Sequence, residues 1–182
     1  MLKRFNLRNF ILISGQVAGF KKIDNTAIFF IKSTVNISVK LRDRHAMNRL
    51  KDGDWVCVRG KLRHSTEHNT LKVISGKITP VQEGCTLNVV FIEGYTNKNL
   101  TKSNIEGIYT LNIIHLALNR AGEIYTMPLK VAFNERKAKI AELIMQSDTL
   151  FEVEGRLGQN KEFGYYLIGD HVINREPIMR EV

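Results

Sequence analysis

The sequence predicts an all-β protein with short helices, folded as two tandem five-stranded barrels. Three observations carry that prediction. The segment Trp55–Leu62 (WVCVRGKL) is echoed by Phe151–Leu157 (FEVEGRL), and a strand repeated within its surroundings marks two copies of one small domain. Each copy follows a helical stretch and precedes a further β-rich run. Each copy also opens on an apolar strand containing a glycine, Gly15 in one and Gly94 in the other, as a strand that must coil around a barrel requires.

In the first half, Asn9–Val17 is a β-rich apolar run, and Ala27–Lys32 with Thr34–Leu41 forms a hairpin across Lys32 and Ser33. Val35, Ile37, Val39 and Leu41 alternate with Asn36, Ser38 and Lys40, so one face of that strand is core and the other polar. Arg42–Leu50 carries apolar residues only at Ala46, Met47 and Leu50, a helical spacing, before Lys51–Asp54 breaks the chain as a turn. Two further strands follow, Trp55–Arg63 and Thr70–Val81. The second half repeats the order: strands Thr86–Gly94 and Gly107–Asn119, a turn at Arg120–Gly122, strand Ile124–Phe133, a helix over Asn134–Met145, and strands Leu150–Leu157 and Tyr165–Ile173. Three strands, a helix and two strands is the order of the five-stranded Greek-key OB barrel. An SH3-like barrel and an α+β sandwich are the alternatives. The expected domains are 1–82, basic, and 83–182, near neutral, joined closely through Val81–Cys85 without a Pro- or Ser-rich linker.

Composition narrows the function. The formal charge is +9, which favours a polyanionic partner. Residues 1–84 hold 16 Lys and Arg against 6 Asp and Glu, whereas residues 85–182 hold 11 against 12. The excess positive charge therefore lies in the first half. No apolar run is long enough to span a bilayer, the first residues lack the pattern of a secretory signal, and Cys57 and Cys85 are too few for a disulfide framework or a zinc site. The expected compartment is a reducing one, the cytoplasm, with an organelle as the other option.

The segment Tyr125–Ile144, a strand running into a helix, followed by Leu150–Leu157, resembles the bacterial-type single-stranded-DNA-binding (SSB) protein family. Asn9–Gly15 and Leu87–Gly94 are similar to that family's opening strand. The resemblance implies non-catalytic, largely sequence-independent binding of single-stranded DNA by tandem OB domains within a homo-oligomer, in replication, recombination or plasmid and phage DNA metabolism, with replication or recombination proteins as further partners. The chain ends at Arg175–Val182 without the family's acidic tail, which likens it to the tailless primosomal relatives and leaves tail-mediated recruitment in doubt.

A single strand is held by cations along its backbone and aromatic rings beneath its bases, so both must share a face. On Trp55–Arg63 the residues Val56, Val58 and Leu62 point inward, which turns Trp55, Cys57, Arg59, Lys61 and Arg63 outward. Trp55 at the head of this Arg/Lys ladder is the candidate stacking platform, or else a cap on the barrel end. Lys21 and Lys22 in the first loop, Lys32, Lys40 and Arg42 on the hairpin, and Lys72 and Lys77 on the last strand are secondary candidates. Of the neighbours Phe29 and Phe30, one belongs to the core and the other to the surface; Phe30 is counted among the candidates. The matching outward positions in the second half, Leu150, Glu152, Glu154 and Arg156, repel phosphate. Leu150 and Ile113 are expected to be exposed there, at an interface. Tyr109, Tyr125, Tyr165 and Tyr166 are aromatic positions at which a nucleic-acid path would extend.

Other functions are weaker. His64–His68 matches the HxxEH pattern of zinc peptidases, but it sits in a Ser-, Thr- and Asn-rich tip without helical periodicity. His115 and His171 are isolated, and no phosphate loop, dinucleotide fingerprint or nucleophile elbow is present. No catalytic residue, cofactor or metal is expected. RNA binding is the first alternative, because stacking and phosphate contacts do not distinguish the sugars. A protein-binding adaptor is the second.

Overall fold

The computed structural model describes residues 7–42, 44–65, 70–96, 100–118, 123–144 and 150–175. The chain divides into two compact units, one made of Phe10–Val90 with Leu157–Tyr165, the other of Met1–Asn9, Phe91–Arg156 and Tyr166–Val182.

In the first unit, β1 (Asn9–Ile23), β2 (Thr26–Lys32) and β3 (Asn36–Leu41) precede a short helix α1 (Arg44–Met47), followed by β4 (Trp55–Ser65) and β5 (Thr70–Pro80). The strands lie in the order β2-β3-β5-β4-β1, and a β1–β2 pairing closes the ring. This is a closed five-stranded barrel with the strand order of the OB fold. All pairings are antiparallel except β3–β5. The interior is filled by Ile11, Ile13, Phe29, Ile31, Ile37, Val39, Leu41, Val58, Leu62 and Val73, each without solvent exposure. Two glycines permit closure. A Cβ at Gly15 would run into the carbonyl of Lys32, and one at Gly60 into the carbonyl of Ile74, so β1 and β4 can cross tightly over their neighbours only at these positions.

The largest departures from the sequence reading in this unit are in β1 and the helix. β1 runs six residues past Val17, because its end pairs with β2 from Lys21↔Ile28 to Ile23↔Thr26 after a bulge between Ala18 and Lys21. Lys21 and Lys22 are therefore strand residues and not part of a loop. The helix is reduced to Arg44–Met47. The chain is then turned by Asp54, whose carboxylate accepts the Lys51 amide at 2.9 Å, with Gly53 at φ 92.

The second unit holds β6 (Asn88–Tyr95), β7 (Thr101–Lys102), β8 (Ile108–Leu118), β9 (Ile124–Asn134), α2 (Glu135–Ile144), β10 (Leu150–Asn160) and β11 (Gly164–Asn174), with the flanking parts of β6, β10 and β11 assigned to the first unit. The strand order is β6-β10-β11-β9-β8-β7, with β6 also meeting β8 at Tyr95↔Ile114. β9 and β11 run parallel. β7 is an added strand on the edge of β8. The predicted turn at Arg120–Gly122 lies outside the described residues, as does Met145.

The expectation of exposed Leu150 and Ile113 is corrected here. Both are fully buried, and Glu152 is 2% exposed. Glu152 accepts an ion pair from Arg8 at 2.9 Å and another from Arg175 at 3.4 Å. Arg8 also stacks over the Phe91 ring at 4.6 Å, and its amide donates to Glu93 at 2.7 Å. Thus Glu152 on β10 is neutralised within its own unit, which alternation along one strand does not reveal. Ile114, one residue along from Ile113, is the exposed one. No helix of the described residues is long and apolar enough to cross a membrane.

Candidate nucleic-acid interface

β-Strand residues facing one another across a sheet lie about 5 Å apart, so the registers of the first unit show which candidate side chains share a neighbourhood. One row runs around the barrel: Ala18 on β1, Phe30 on β2, Ser38 on β3, Lys72 on β5 and Arg63 on β4. The next row, two residues away, is Lys21, Ile28, Lys40, Ile74 and Lys61. A third runs from Asn36 through Lys32 and Gln16 to Trp55. The side chains in these rows are exposed or partly exposed. Lys21, Lys32 and Lys40 therefore lie near Phe30 on the adjoining strands β1, β2 and β3, while Lys72, Lys61 and Arg63 continue the rows around the closed barrel onto β5 and β4.

Phe30 is 43% exposed while Phe29 is fully buried, 6.3 Å from the Phe20 ring. Alternation along β2 forces this division. Phe30 is thus the outward ring, flanked along its strand by Lys32 and Ile28 and across the sheet by Ser38 and Ala18.

Trp55 stands apart from the ladder it heads in the sequence. Eight residues of strand separate it from Arg63, about 26 Å. The registers climb as they go round the barrel, which is the stagger that closure demands, so the row through Arg63 reaches β1 at Ala18 whereas Trp55 opposes Gln16. Trp55 is half-buried and lines a pocket of about 400 Å³ with His45, Ala46, Arg49, Leu50, Asp54, Val56, Ile78 and Pro80. It belongs with α1 at the barrel end, and reaches the cations near Phe30 only through Gln16 and Lys32.

The remaining candidates fall at the margins. Arg59 opposes Lys77 and Leu12, and its guanidinium lies 5.3 Å from the Phe10 ring. Arg42 follows Lys40 by two residues, exposed, and its amide donates to the Ser75 carbonyl. Lys22 opposes the inward Ala27, and its ammonium donates to Asn48 at 2.8 Å, so it is turned away from Lys21. Cys57 and Cys85 are free thiols. Burial, with Cys85 nearby, pushes the Cys57 thiol up, which favours the protonated form over the thiolate.

Sequence reasoning missed Gln16, Ala18, Ile28, Asn36, Ser38 and Ile74 in these rows. The hairpin register, set by the turn at Ser33, would have found Ile28 and Ser38 from Phe30 and Lys40. The partners across β3–β5 are parallel and distant in sequence, and carry no local signal. Among the described residues no cluster of His, Cys, Asp and Glu could hold a metal ion. His64 lies on β4, whereas Thr66–His68 of the HxxEH segment lie outside the described residues.

The crystal structure of the wild-type single-stranded DNA binding protein from Thermus aquaticus matches this chain with a TM-score of 0.69 over 97% of each chain, at 16% identity. A deletion mutant of the same protein matches with a TM-score of 0.68 over 93% of this chain and 95% of that one, at 17% identity. The likeness is one of fold. No family model matches the sequence, and no curated protein matches it.

Proposed function

We propose that the chain is a non-catalytic protein that binds single-stranded DNA with little regard to sequence, through the cationic surface of its first barrel. One observation carries this reading: an exposed aromatic ring, Phe30, with Lys21, Lys32 and Lys40 near it on β1, β2 and β3, and Lys72 and Arg63 further round the barrel on the same row. Stacking of a base on such a ring is tolerant of sequence, because every base has a π-face, and cations two residues away meet the backbone phosphates. Arg63 and Lys61 end the rows on β4, Arg59 and Arg42 lie at their edges, and Trp55 contributes at the far end of the Lys32 row.

In this reading the chain is a tandem OB duplication, residues 1–82 and 83–182, as its repeated strand order supports. The second copy, near neutral in charge, supplies contacts other than phosphate binding, including those of a homo-oligomer. The fold shared with a protein named for single-stranded DNA binding agrees with the assignment. A role in replication, recombination or plasmid and phage DNA metabolism follows from such an activity, in the cytoplasm, with proteins of those processes as partners.

The test is a titration with labelled oligo-dT. Phe30→Ala combined with Lys40→Glu is expected to abolish binding measurable in the wild type at low salt. Unchanged affinity would place the strand elsewhere.

A further inference from the structure

Cys57 and Cys85 are distant in the sequence, yet both flank one side chain, Ser14, inside the compact unit of Phe10–Val90. Ser14 on β1 opposes Cys57 on β4, and directly opposed residues of an antiparallel pair set their side chains on one face, about 5 Å apart. That face is the outer one, because Ile13, Val56 and Val58 beside them fill the barrel interior. Cys85 lies over the same face. The Ser14 hydroxyl donates to the Cys85 carbonyl at 2.7 Å, lies 3.6 Å from Cys85 Sγ, and accepts from the Leu87 amide at 2.6 Å. A second tether precedes it: the Val81 amide donates to the Trp55 carbonyl at 3.0 Å. Between the two tethers the Cys85 amide closes a turn on the Gln82 carbonyl at 3.2 Å, with Gly84 at φ 83. Cys85 is thus pinned from both sides, to the β4 residue two before Cys57 and to the β1 residue opposite Cys57.

We propose that Cys57 and Cys85 form a reversible modification site, a dithiol that a small disulfide such as oxidised glutathione converts into an intramolecular bridge. Both thiols are free and partly exposed, so a small oxidant reaches them. The Cys57 thiol is pushed up by burial and secondly by Cys85, in keeping with two neighbouring sulfurs; the assignment itself stands on their shared contact with Ser14. The thiolate of one cysteine, its proton given to water, attacks a sulfur of the small disulfide and expels one small thiolate. The thiolate of the other cysteine then attacks the protein sulfur of that mixed disulfide and expels the second. Two cysteine thiols are oxidised to one disulfide, and the small disulfide is reduced to two thiols. Two cysteines make no structural framework, but a bridge that forms under oxidant and opens under reductant is the kind a reducing compartment allows. It closes a loop of about 27 residues holding the rest of β4 and all of β5, and so restricts the unfolded chain of the first barrel. None of this depends on what the barrel binds.

The test treats the whole folded chain with excess oxidised glutathione and reads its intact mass, its thiols under denaturing conditions and its peptide map. The wild type is expected to lose the mass of two hydrogens, to show no remaining thiol, and to yield a linked peptide pair containing Cys57 and Cys85. It should run as a single chain on a non-reducing gel, and dithiothreitol should restore both thiols. Cys57→Ser and Cys85→Ser, each lacking the second thiol, should instead keep one glutathione as a stable mixed disulfide. The oxidised wild type should unfold about 5 °C or more above the reduced protein, the direction expected when a loop of this length is closed without strain. A wild type that gains glutathione at both cysteines, or that links chain to chain, would overturn the proposal. So would a bridge that forms but lowers the unfolding midpoint, since the sulfurs would then meet only by distorting β4.

Discussion

Phe29 and Phe30 offer the sharpest separation of stability from binding. Phe29 has no exposed surface and packs into the barrel interior, while Phe30 is 43% exposed among lysines. Truncating a buried phenylalanine costs about 3–5 kcal/mol through lost transfer energy and the cavity left behind. Truncating an outward one costs about 0.5 kcal/mol or less. Stacking of one base on a ring is worth about 1–3 kcal/mol, or roughly 5- to 150-fold in affinity. Phe29→Ala is therefore expected to lower the unfolding midpoint sharply, and its folded fraction should keep the affinity of the wild type. Phe30→Ala should unfold like the wild type and lose roughly 5- to 150-fold in affinity for oligo-dT. Fluorescence anisotropy and denaturant unfolding on the two proteins measure both quantities. A Phe30→Ala protein with affinity within twofold of the wild type, or one destabilised as much as Phe29→Ala, would refute the reasoning.

Lys40→Gln and Lys72→Gln should each reduce the salt dependence of binding by about 0.7 log unit per log unit of salt, the share of one phosphate contact on a single strand. A slope that stays constant in affinity measured from low to moderate salt would remove these residues from the interface. Gly60→Ala should destabilise the first barrel by about 1–3 kcal/mol or prevent its folding, since the added methyl meets the Ile74 carbonyl; circular-dichroism melting decides. Burial raises the Asp170 carboxyl, but hydrogen bonds and charge from Lys137 and Arg156, at 2.6 and 3.0 Å, hold it below the usual carboxylate range. The folded state then binds that proton less readily than the unfolded chain, so the stability from this group is present above the ordinary carboxylate value, near pH 4, and is lost as pH falls through the lowered one. Asp170→Asn should lose stability at neutral pH and show a shallower acid decline in melting experiments. An acid profile parallel to that of the wild type would contradict the pairing.

Much of the first barrel is legible in the sequence because its strands alternate cleanly. Val35 to Leu41 and Val56 to Leu62 each give an inward face, and Gly15 and Gly60 mark where the strands coil. What alternation cannot supply is stagger. Trp55 and Arg63 share a parity on β4, yet closure of the barrel carries them to opposite ends of it. Nor does it report what covers an outward position. Glu152 and Leu150 have outward parity, but Glu152 meets Arg8 and Arg175, and Leu150 clusters with Leu7, Tyr95 and Leu116. The place of Leu157–Tyr165 in the first unit is a long-range packing fact, written in hydrogen bonds of the Gln159 and Tyr165 side chains with the Asn36 backbone and of the Asn88 side chain with Leu157, which no local pattern announces.

The most direct test is a titration of the whole chain against matched single-stranded DNA, single-stranded RNA and duplex DNA at two salt concentrations. The account predicts binding to single-stranded DNA that exceeds binding to duplex and weakens steeply with salt. Tighter binding to RNA would shift the assignment to RNA recognition. No binding of any strand at low salt, where electrostatic attraction is strongest, would contradict the claim that the Phe30 surface holds nucleic acid.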